Sequence, residues 1–96
     1  MKVLIHAVDA DSLERARSNA RNLIRAVPDA AIEIVVNAGA VAAALDAPDD
    51  TDGHLVLCSN TLKRLGRDPR EGLVRVPAAI LHLVRRQEDG WAYVRA

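Results

Sequence analysis

The sequence predicts a single α/β domain over residues 1–96, built as a three-layer α/β/α sandwich around a mainly parallel five-stranded sheet. Runs of branched apolar residues alternate with helix-like segments in the order βαβαβαβαβ, and parallel neighbouring strands require such helical crossovers. Ninety-six residues, half of them hydrophobic, suffice for one core but not for two. Because seventeen residues are alanine, the buried area per residue is modest, and we expect a homo-oligomer.

The first β-α unit begins with residues 2–8, an apolar run of the kind found in strands buried on both faces. The helix that follows is expected to start at Asp11, which has the capping-box spacing to Glu14, and to end before Pro28. Its apolar positions recur every three or four residues, at Leu13, Ala16, Ala20, Leu23, Ile24 and Val27. The arginines of its other face, Arg15, Arg21 and Arg25, are interpreted as solvated charge.

The second unit consists of a strand over residues 32–37 and a short Ala-rich helix over residues 40–45 that Gly39 opens. Residues 46–53 follow with four aspartates, a proline and a glycine, and they lack any periodicity. This composition predicts a surface loop. The aspartate spacing does not match a calcium-binding loop, and no glutamate stands at the twelfth position.

The third unit contains the single cysteine of the chain. Residues 54–58 are expected to form a strand ending at Cys58, and residues 59–65 a short helix that Ser59 or Asn60 caps and Gly66 stops. The cysteine therefore lies where a strand becomes a helix.

The last part of the chain is expected to form a brief strand over residues 74–76, a helix and a final strand over residues 91–95. Pro77 should open the helix, since proline is favoured in the first helical turn. We predict that Ile80, Leu81 and Val84 form its inner face. Trp91 and Tyr93 alternate along the final strand, so both rings should lie on one side of it, in the core or in an interface.

Charge and hydropathy exclude several classes of protein. The thirteen basic and thirteen acidic side chains balance, so the broad basic surface of a sequence-independent nucleic-acid binder is missing. No apolar run approaches the ~20 residues of a membrane span, and the amino end lacks the pattern of a signal peptide. We therefore expect a cytoplasmic protein with neither nucleic acid nor membrane as a partner. Cys58, being alone, cannot form a disulfide within the chain.

Polar side chains are concentrated at the predicted carboxyl edge of the sheet, where ligands bind in open α/β folds. The candidate catalytic residue is Cys58. The candidate binding residues lie near the ends of the first three strands and comprise His6, Asn37, Gly39, Ser59, Asn60 and Thr61.

Several cofactor-binding patterns are absent. The chain has no glycine-rich phosphate motif, so Gly39 is interpreted as a turn glycine. One cysteine and the widely spaced His6, His54 and His82 provide no ligand pair for zinc. There is no C-x-x-C motif for a dithiol cycle. We predict neither a metal nor a cofactor.

Two interpretations of Cys58 remain open. Backbone N–H groups at the start of a helix favour a thiolate, which would make Cys58 reactive. Alternatively, Cys58 is a small apolar residue that fills the core. His6 is interpreted as a hydrogen-bonded core histidine in preference to a base for the thiol, because the sequence does not show that the two residues touch.

Several segments of the chain resemble the DsrE/DsrF-like family, in particular its small stand-alone members linked to intracellular sulfur oxidation. The opening KVLIHAVDADSLERARSNARNLI resembles the family's first strand, with its histidine, and a helix containing N-x-x-N-L. IEIVVNAGAVAAAL resembles its second unit and CSNTLKRLG its cysteine block. VPAAILHLVRRQEDGWAYVRA resembles its closing segment, which ends in G-aromatic-x-Tyr.

This resemblance implies a five-stranded α/β/α sandwich, assembly into trimers or hexamers, and a persulfide carried on Cys58. The chain would then be a sulfur-relay protein that exchanges sulfur with a donor or acceptor protein bearing its own reactive cysteine. Whether the relay counts as sulfurtransferase activity stays open. The alternative is a non-catalytic module that binds a small molecule or a protein. The acidic loop over residues 46–53 replaces a longer helix of many relatives, so we expect one face of the sheet to be thinly covered or completed by a neighbouring subunit.

Overall fold

The computed structural model describes residues 1–96 and contains five strands and four α-helices in strict alternation. The strands are β1 (Lys2–Ala7), β2 (Ala31–Val36), β3 (Leu55–Cys58), β4 (Val74–Val76) and β5 (Ala92–Arg95). The helices are α1 (Ala10–Ala26), α2 (Gly39–Asp46), α3 (Ser59–Leu65) and α4 (Ala79–Glu88). A single 3₁₀ turn over Asp52–His54 precedes β3.

The five strands form one sheet in the order β4-β3-β2-β1-β5, and every neighbouring pair is parallel. The predicted fold class is therefore confirmed, with the sheet wholly parallel rather than mainly so. β1 lies between β2 and β5, and β2 lies between β1 and β3. Because all strands run in the same direction, their carboxyl ends share one edge of the sheet.

The two faces of the sheet are covered unequally. Alternate residues such as Ile5 and Ile34 point to one face, where a core of 15 buried residues includes side chains of α1, α2 and α3. Leu4 and Val35 point to the other face, where a cluster of only six buried residues packs against α4. A single ten-residue helix thus covers this second face. The acidic loop over residues 46–53 contacts α1 on the better-covered side, so the thin cover is not caused by that loop, contrary to the expectation.

The amino end of α1 is capped differently from the prediction. Asp9, and not Asp11, is the capping residue: its carboxylate accepts from the Ser12 N–H at 2.7 Å, and the Ser12 hydroxyl accepts from the Asp9 N–H at 3.0 Å. The reciprocal pair of a capping box is therefore made by Asp9 and Ser12 instead of Asp11 and Glu14. The extended backbone of Asp9, with φ −148° and ψ 177°, ends the connection from β1 there and lets the helix begin at Ala10.

The acidic segment is packed against the helices by arginines. Arg17, only 8% exposed, donates to the Ala47 carbonyl at 2.8 Å, and Arg21 pairs with Asp49 at 2.6 Å. Arg70 donates to the carbonyls of Ala44 and Leu45 at the end of α2, and it pairs with Asp52. Arg21 is consequently an ion-pair partner and not solvated charge, because four aspartates lie on the loop that faces α1.

Asp49 is the electrostatic centre of this segment. Burial raises the pKa of its carboxyl, but hydrogen bonds from Thr51 and the positive charges of Arg17 and Arg21 outweigh burial and lower the pKa from 3.8 to about 2. The ionised form is therefore the one that the fold stabilises.

The inner face of α4 differs from the prediction. Ala79 and Leu83 are buried, whereas Ile80, Leu81 and Val84 are 70%, 41% and 47% exposed. Ion pairing sets this rotation, since Glu33 of β2 binds two α4 side chains that share the helical side of Ala79 and Leu83. Its carboxylate lies 2.7 Å from His82 Nε2 and accepts from Arg86 Nη2 at 2.9 Å, and both partners follow Ala79 at helical spacing.

The start of α4 and the end of the chain also depart from the sequence prediction. The helix begins at Ala79 with Ala78 as its capping residue, because Ala78 is still extended at φ −147°, so Pro77 lies before the helix. Trp91 precedes β5, is half-buried, and lies beneath the Arg86 guanidinium, 4.8 Å from the ring centroid. Tyr93 is 40% exposed and is not a core residue, since β5 is an edge strand that no helix covers fully.

None of the helices is both long and apolar enough to span a membrane.

Candidate functional site

Cys58 is the last residue of β3 and the capping residue of α3. The N-cap position thus belongs to Cys58 rather than to Ser59 or Asn60, because the backbone becomes helical directly after the strand. The side chain belongs to the cluster on the α4 side of the sheet and is 6% exposed. Its Sγ accepts a hydrogen bond from the Ala79 N–H, the first residue of α4, at 3.4 Å.

The starts of two helices therefore converge on one sulfur atom. Burial raises the pKa of the Cys58 thiol. Hydrogen bonds from the Ala79 N–H, from the Thr61 N–H and hydroxyl, and from the Asn60 N–H outweigh burial and lower the pKa below its ordinary value. Such donors stabilise the thiolate, which is the nucleophilic form of cysteine. The position combines a favoured thiolate with little exposure to solvent.

His6 belongs to a separate polar group on the same face of the sheet. Its Nδ1 lies 2.7 Å from the Tyr93 hydroxyl, and its Nε2 lies 3.0 Å from Asn37 Oδ1. The ring is half-buried and tilted by 57° against the Tyr93 ring. The interpretation of His6 as a hydrogen-bonded histidine agrees with this geometry, but it lies at the edge of the core and not inside it.

Tyr93 is a site residue that the sequence prediction missed. The alternation of β5 indicates which side of the strand it occupies, but not which strand lies beside it. The pairing of β5 with β1 places Tyr93 opposite Leu4, which is two residues before His6 and lies on the same side of the sheet. Only this long-range pairing brings the two side chains together.

His6 and Cys58 are held apart by the sheet topology. β2 lies between their strands, and His6 is opposite Val35, which is opposite Val56, two residues before Cys58. The Cα atoms of His6 and Cys58 are therefore separated by two inter-strand spacings across the sheet and by two residues along the strand, a distance of about 12 Å. The structure therefore does not bring His6 to the thiol as its base. Hydrogen-bond donors lower the pKa of the thiol instead, and none of them is a base.

The turn after β2 joins the two polar groups. Asn37 is half-buried, and Ala38 adopts φ 48° and ψ −137°, a backbone conformation that residues with a Cβ rarely take. The Ala38 N–H donates to Thr61 Oγ1 at 3.3 Å, so the threonine that helps to lower the pKa of the Cys58 thiol also binds this turn. The left-handed position of this turn is thus Ala38 and not Gly39, which begins α2. Backbone strain of this kind is concentrated at functional sites.

The remaining candidate residues follow Cys58 on α3. Thr61 is buried at 7% exposure, Ser59 is half-buried and Asn60 is exposed. Asn60 contributes its backbone N–H to the thiol, whereas Ser59 lines a cavity on the opposite, α3-covered side of the sheet. No group of three histidine, cysteine, aspartate or glutamate side chains is placed to hold a metal ion.

Comparison with solved structures identifies a relative of this chain. The structure of the protein of unknown function MTH1491 from Methanobacterium thermoautotrophicum superposes with a TM-score of 0.83 at 30% sequence identity. The match covers 99% of this chain and 98% of the other. No known family description matches the chain, and no curated protein does.

The chain belongs to the same family as the Methanobacterium protein, because an identity of 30% extends over nearly the whole of both chains. Since that protein is described as one of unknown function, the likeness identifies fold and family but no activity.

Proposed function

We propose that this chain is a DsrE/DsrF-like sulfur-relay protein that carries a persulfide on Cys58. The observation on which the proposal depends is the position of Cys58 Sγ at the starts of α3 and α4, where the Ala79 N–H donates to it at 3.4 Å. The donors of Thr61 and Asn60 that lower the thiol pKa support the same role. A persulfide anion would meet the same N–H groups, which stabilise negative charge on sulfur.

The transfer requires two thiol exchange steps. The Cys58 thiolate attacks the outer sulfur of a donor persulfide, a new S–S bond forms on Cys58, and the donor leaves as a thiolate. An acceptor thiolate then attacks the outer sulfur of the Cys58 persulfide, and the Cys58 thiolate returns. No net electron transfer occurs, and no second cysteine in this chain is needed.

Access to the sulfur is controlled by α4. Cys58 is 6% exposed, and the cluster that encloses it includes Ala79 and Leu83 of that helix. A reagent therefore reaches the sulfur when the part of α4 around Leu83 moves away from β3, and the Ala79 N–H stabilises the anion in the closed state. Such an opening is favoured because the buried cluster that holds α4 against the sheet has only six residues, so few apolar contacts are lost.

Partners and assembly form part of the proposal. The donor or acceptor is a protein with a reactive cysteine, and the reduced state of a single thiol fits the cytoplasm. The exposed apolar residues of α4, Ile80, Leu81 and Val84, support a homo-oligomer, either a trimer or a hexamer, because oligomer contacts bury such residues.

The test is to incubate the protein with a cysteine persulfide donor and to measure the intact mass. We expect the gain of one sulfur atom, its loss on treatment with a thiol reductant, and no gain in Cys58→Ser. Thr61→Val retains the cysteine but removes the hydroxyl that helps to lower the thiol pKa. Slower sulfur loading in this variant, with unchanged loading in the distant control Ser18→Ala, would link the donors to reactivity. An unmodified wild-type protein would contradict the proposal.

A second candidate is a non-catalytic binding module. The observation that favours it is the partly exposed group of His6, Asn37 and Tyr93, which offers hydrogen bonds at the carboxyl edge of the sheet without involving the thiol. In that case native Cys58 resists persulfide donors and mild alkylating reagents. A ligand would then perturb the NMR signals of His6, and His6→Phe would abolish its binding.

A further inference from the structure

A cavity of about 370 Å³ lies between α3 and β4. This volume falls in the lower part of the range for small-ligand sites. Arg75 of β4 is paired with Leu57 of β3, so its side chain lies on the α3-covered side of the sheet. The Cys58 side chain points to the opposite side. The cavity is therefore separate from the sulfur site, although Ser59 borders it.

The lining of this cavity is strongly cationic in a chain whose net charge is zero. Lys63, Arg67 and Arg75 line it together with a single carboxylate, Asp68. Arg67 pairs with Asp46 at 2.8 Å, but neither Lys63 nor Arg75 forms an ion pair anywhere in the structure. Two unpaired cations facing one concave volume produce a positive potential that attracts anions.

Helix stabilisation explains only part of this charge. Lys63 lies in the last turn of α3, where a cation interacts favourably with the helix dipole. Arg75 lies on a strand, so the dipole gives no reason for its position. Gly66, with φ 64°, ends α3 at the cavity, and a side chain there would meet open space. The cavity is thus open to solvent beside Gly66.

We propose that this cavity binds a small divalent oxyanion. Guanidinium groups match the oxygen geometry of phosphate or sulfate in a bidentate way, and an ammonium group adds a point charge. Arg75 and Lys63 bind the anion, with the Ser59 hydroxyl as a further donor to it. An extended acidic peptide fits less well, because the cationic residues line a single cavity of about 370 Å³.

Inorganic phosphate, and sulfate in a parallel titration, test this site by NMR shifts and by thermal stability of the full chain. We expect saturable binding, with shifts confined to residues of α3 and β4. Arg75→Gln and Lys63→Gln should each weaken it about tenfold, the loss of one charge-assisted hydrogen bond. The matched control is Arg64→Gln, an exposed α3 arginine outside the cavity lining, which should leave the affinity unchanged.

A titration with sodium chloride at equal ionic strength is the control that separates specific anion binding from general screening of charge. A poly-glutamate peptide tests the alternative ligand, an extended acidic peptide. The proposal is overturned by an absence of saturable binding, by an equal effect of chloride, or by an equal loss in Arg64→Gln. It is also overturned if the peptide binds and phosphate does not. Sulfur loading of Cys58 is measured separately from anion binding, so a failure of the relay would not affect the conclusion about the cavity.

Discussion

The packing of Leu83 against Cys58 leads to a quantitative prediction about access to the thiol. Leu83 is 5% exposed and belongs to the six-residue cluster that contains Cys58. Leu83→Ala removes buried methyl groups from the only helix on this face. Substitutions of this kind cost about 2–5 kcal/mol, and the thin cover allows partial collapse, so we expect about 2–3 kcal/mol.

This destabilisation should act first on the local opening of α4. If a reagent reaches Cys58 through that opening, its rate follows the population of the open state. A loss of 2–3 kcal/mol then accelerates modification of Cys58 by roughly 30- to 150-fold. The assay is the pseudo-first-order reaction with a chromogenic disulfide reagent, accompanied by urea unfolding to measure the global free energy.

Leu13→Ala is the matched control. Leu13 is 2% exposed and packs in the larger core on the opposite face of the sheet. Its truncation should lower the global free energy of unfolding by a similar amount without uncovering the thiol. Equal acceleration in both variants would show that the reagent enters by global unfolding. No acceleration in Leu83→Ala would refute the idea that α4 covers the site.

Three further predictions concern stability. Asp49→Asn should remove the stabilisation that ionised Asp49 gives above its ordinary pKa of 3.8 and that the native protein loses as the pH falls through about 2. Because Asp49 lies at the surface with 23% of its side chain exposed, we expect a difference of only about 1 kcal/mol at neutral pH. Urea unfolding of both proteins from pH 2 to 6 should show the difference becoming small towards pH 2. Trp91→Ala should lower the free energy of unfolding by about 1–2 kcal/mol in the same assay, because Trp91 is only half-buried. A fully buried ring would cost ~3–5 kcal/mol, so a loss above ~3 kcal/mol would contradict this packing. Ala38→Gly should relieve the strain at φ 48°, raise the free energy of unfolding by about 1 kcal/mol net and so raise the melting temperature, whereas Ala42→Gly within α2 should lower both. Destabilisation by both substitutions would show that Ala38 is unstrained.

Much of the fold could be predicted from local patterns. The apolar run of residues 2–8 and the stop at Gly66 depend on side chains near each other in sequence, and the strand and helix that they predict are present. The α4 face could not be predicted in this way. Ile80, Leu81 and Val84 are as apolar as the true inner residues, and the rotation depends on Glu33, 49 residues from His82.

The candidate site shows the same division. The placement of Cys58 at a strand-to-helix turn, with N–H donors near it, follows from its sequence neighbours. The donor from Ala79 is 21 residues away, and the separation of His6 from Cys58 follows from the strand order. Neither has a local signal.

What the sequence by itself determined is the set of elements, their alternation and the residue types at each strand end, because hydrophobic period, caps and turns are local properties. The tertiary structure alone decided which strands are neighbours, which side of α4 faces the sheet, and that the distant Ala79 N–H reaches the single sulfur. Those outcomes depend on contacts between distant segments, where pairing, burial and ion pairs are satisfied together.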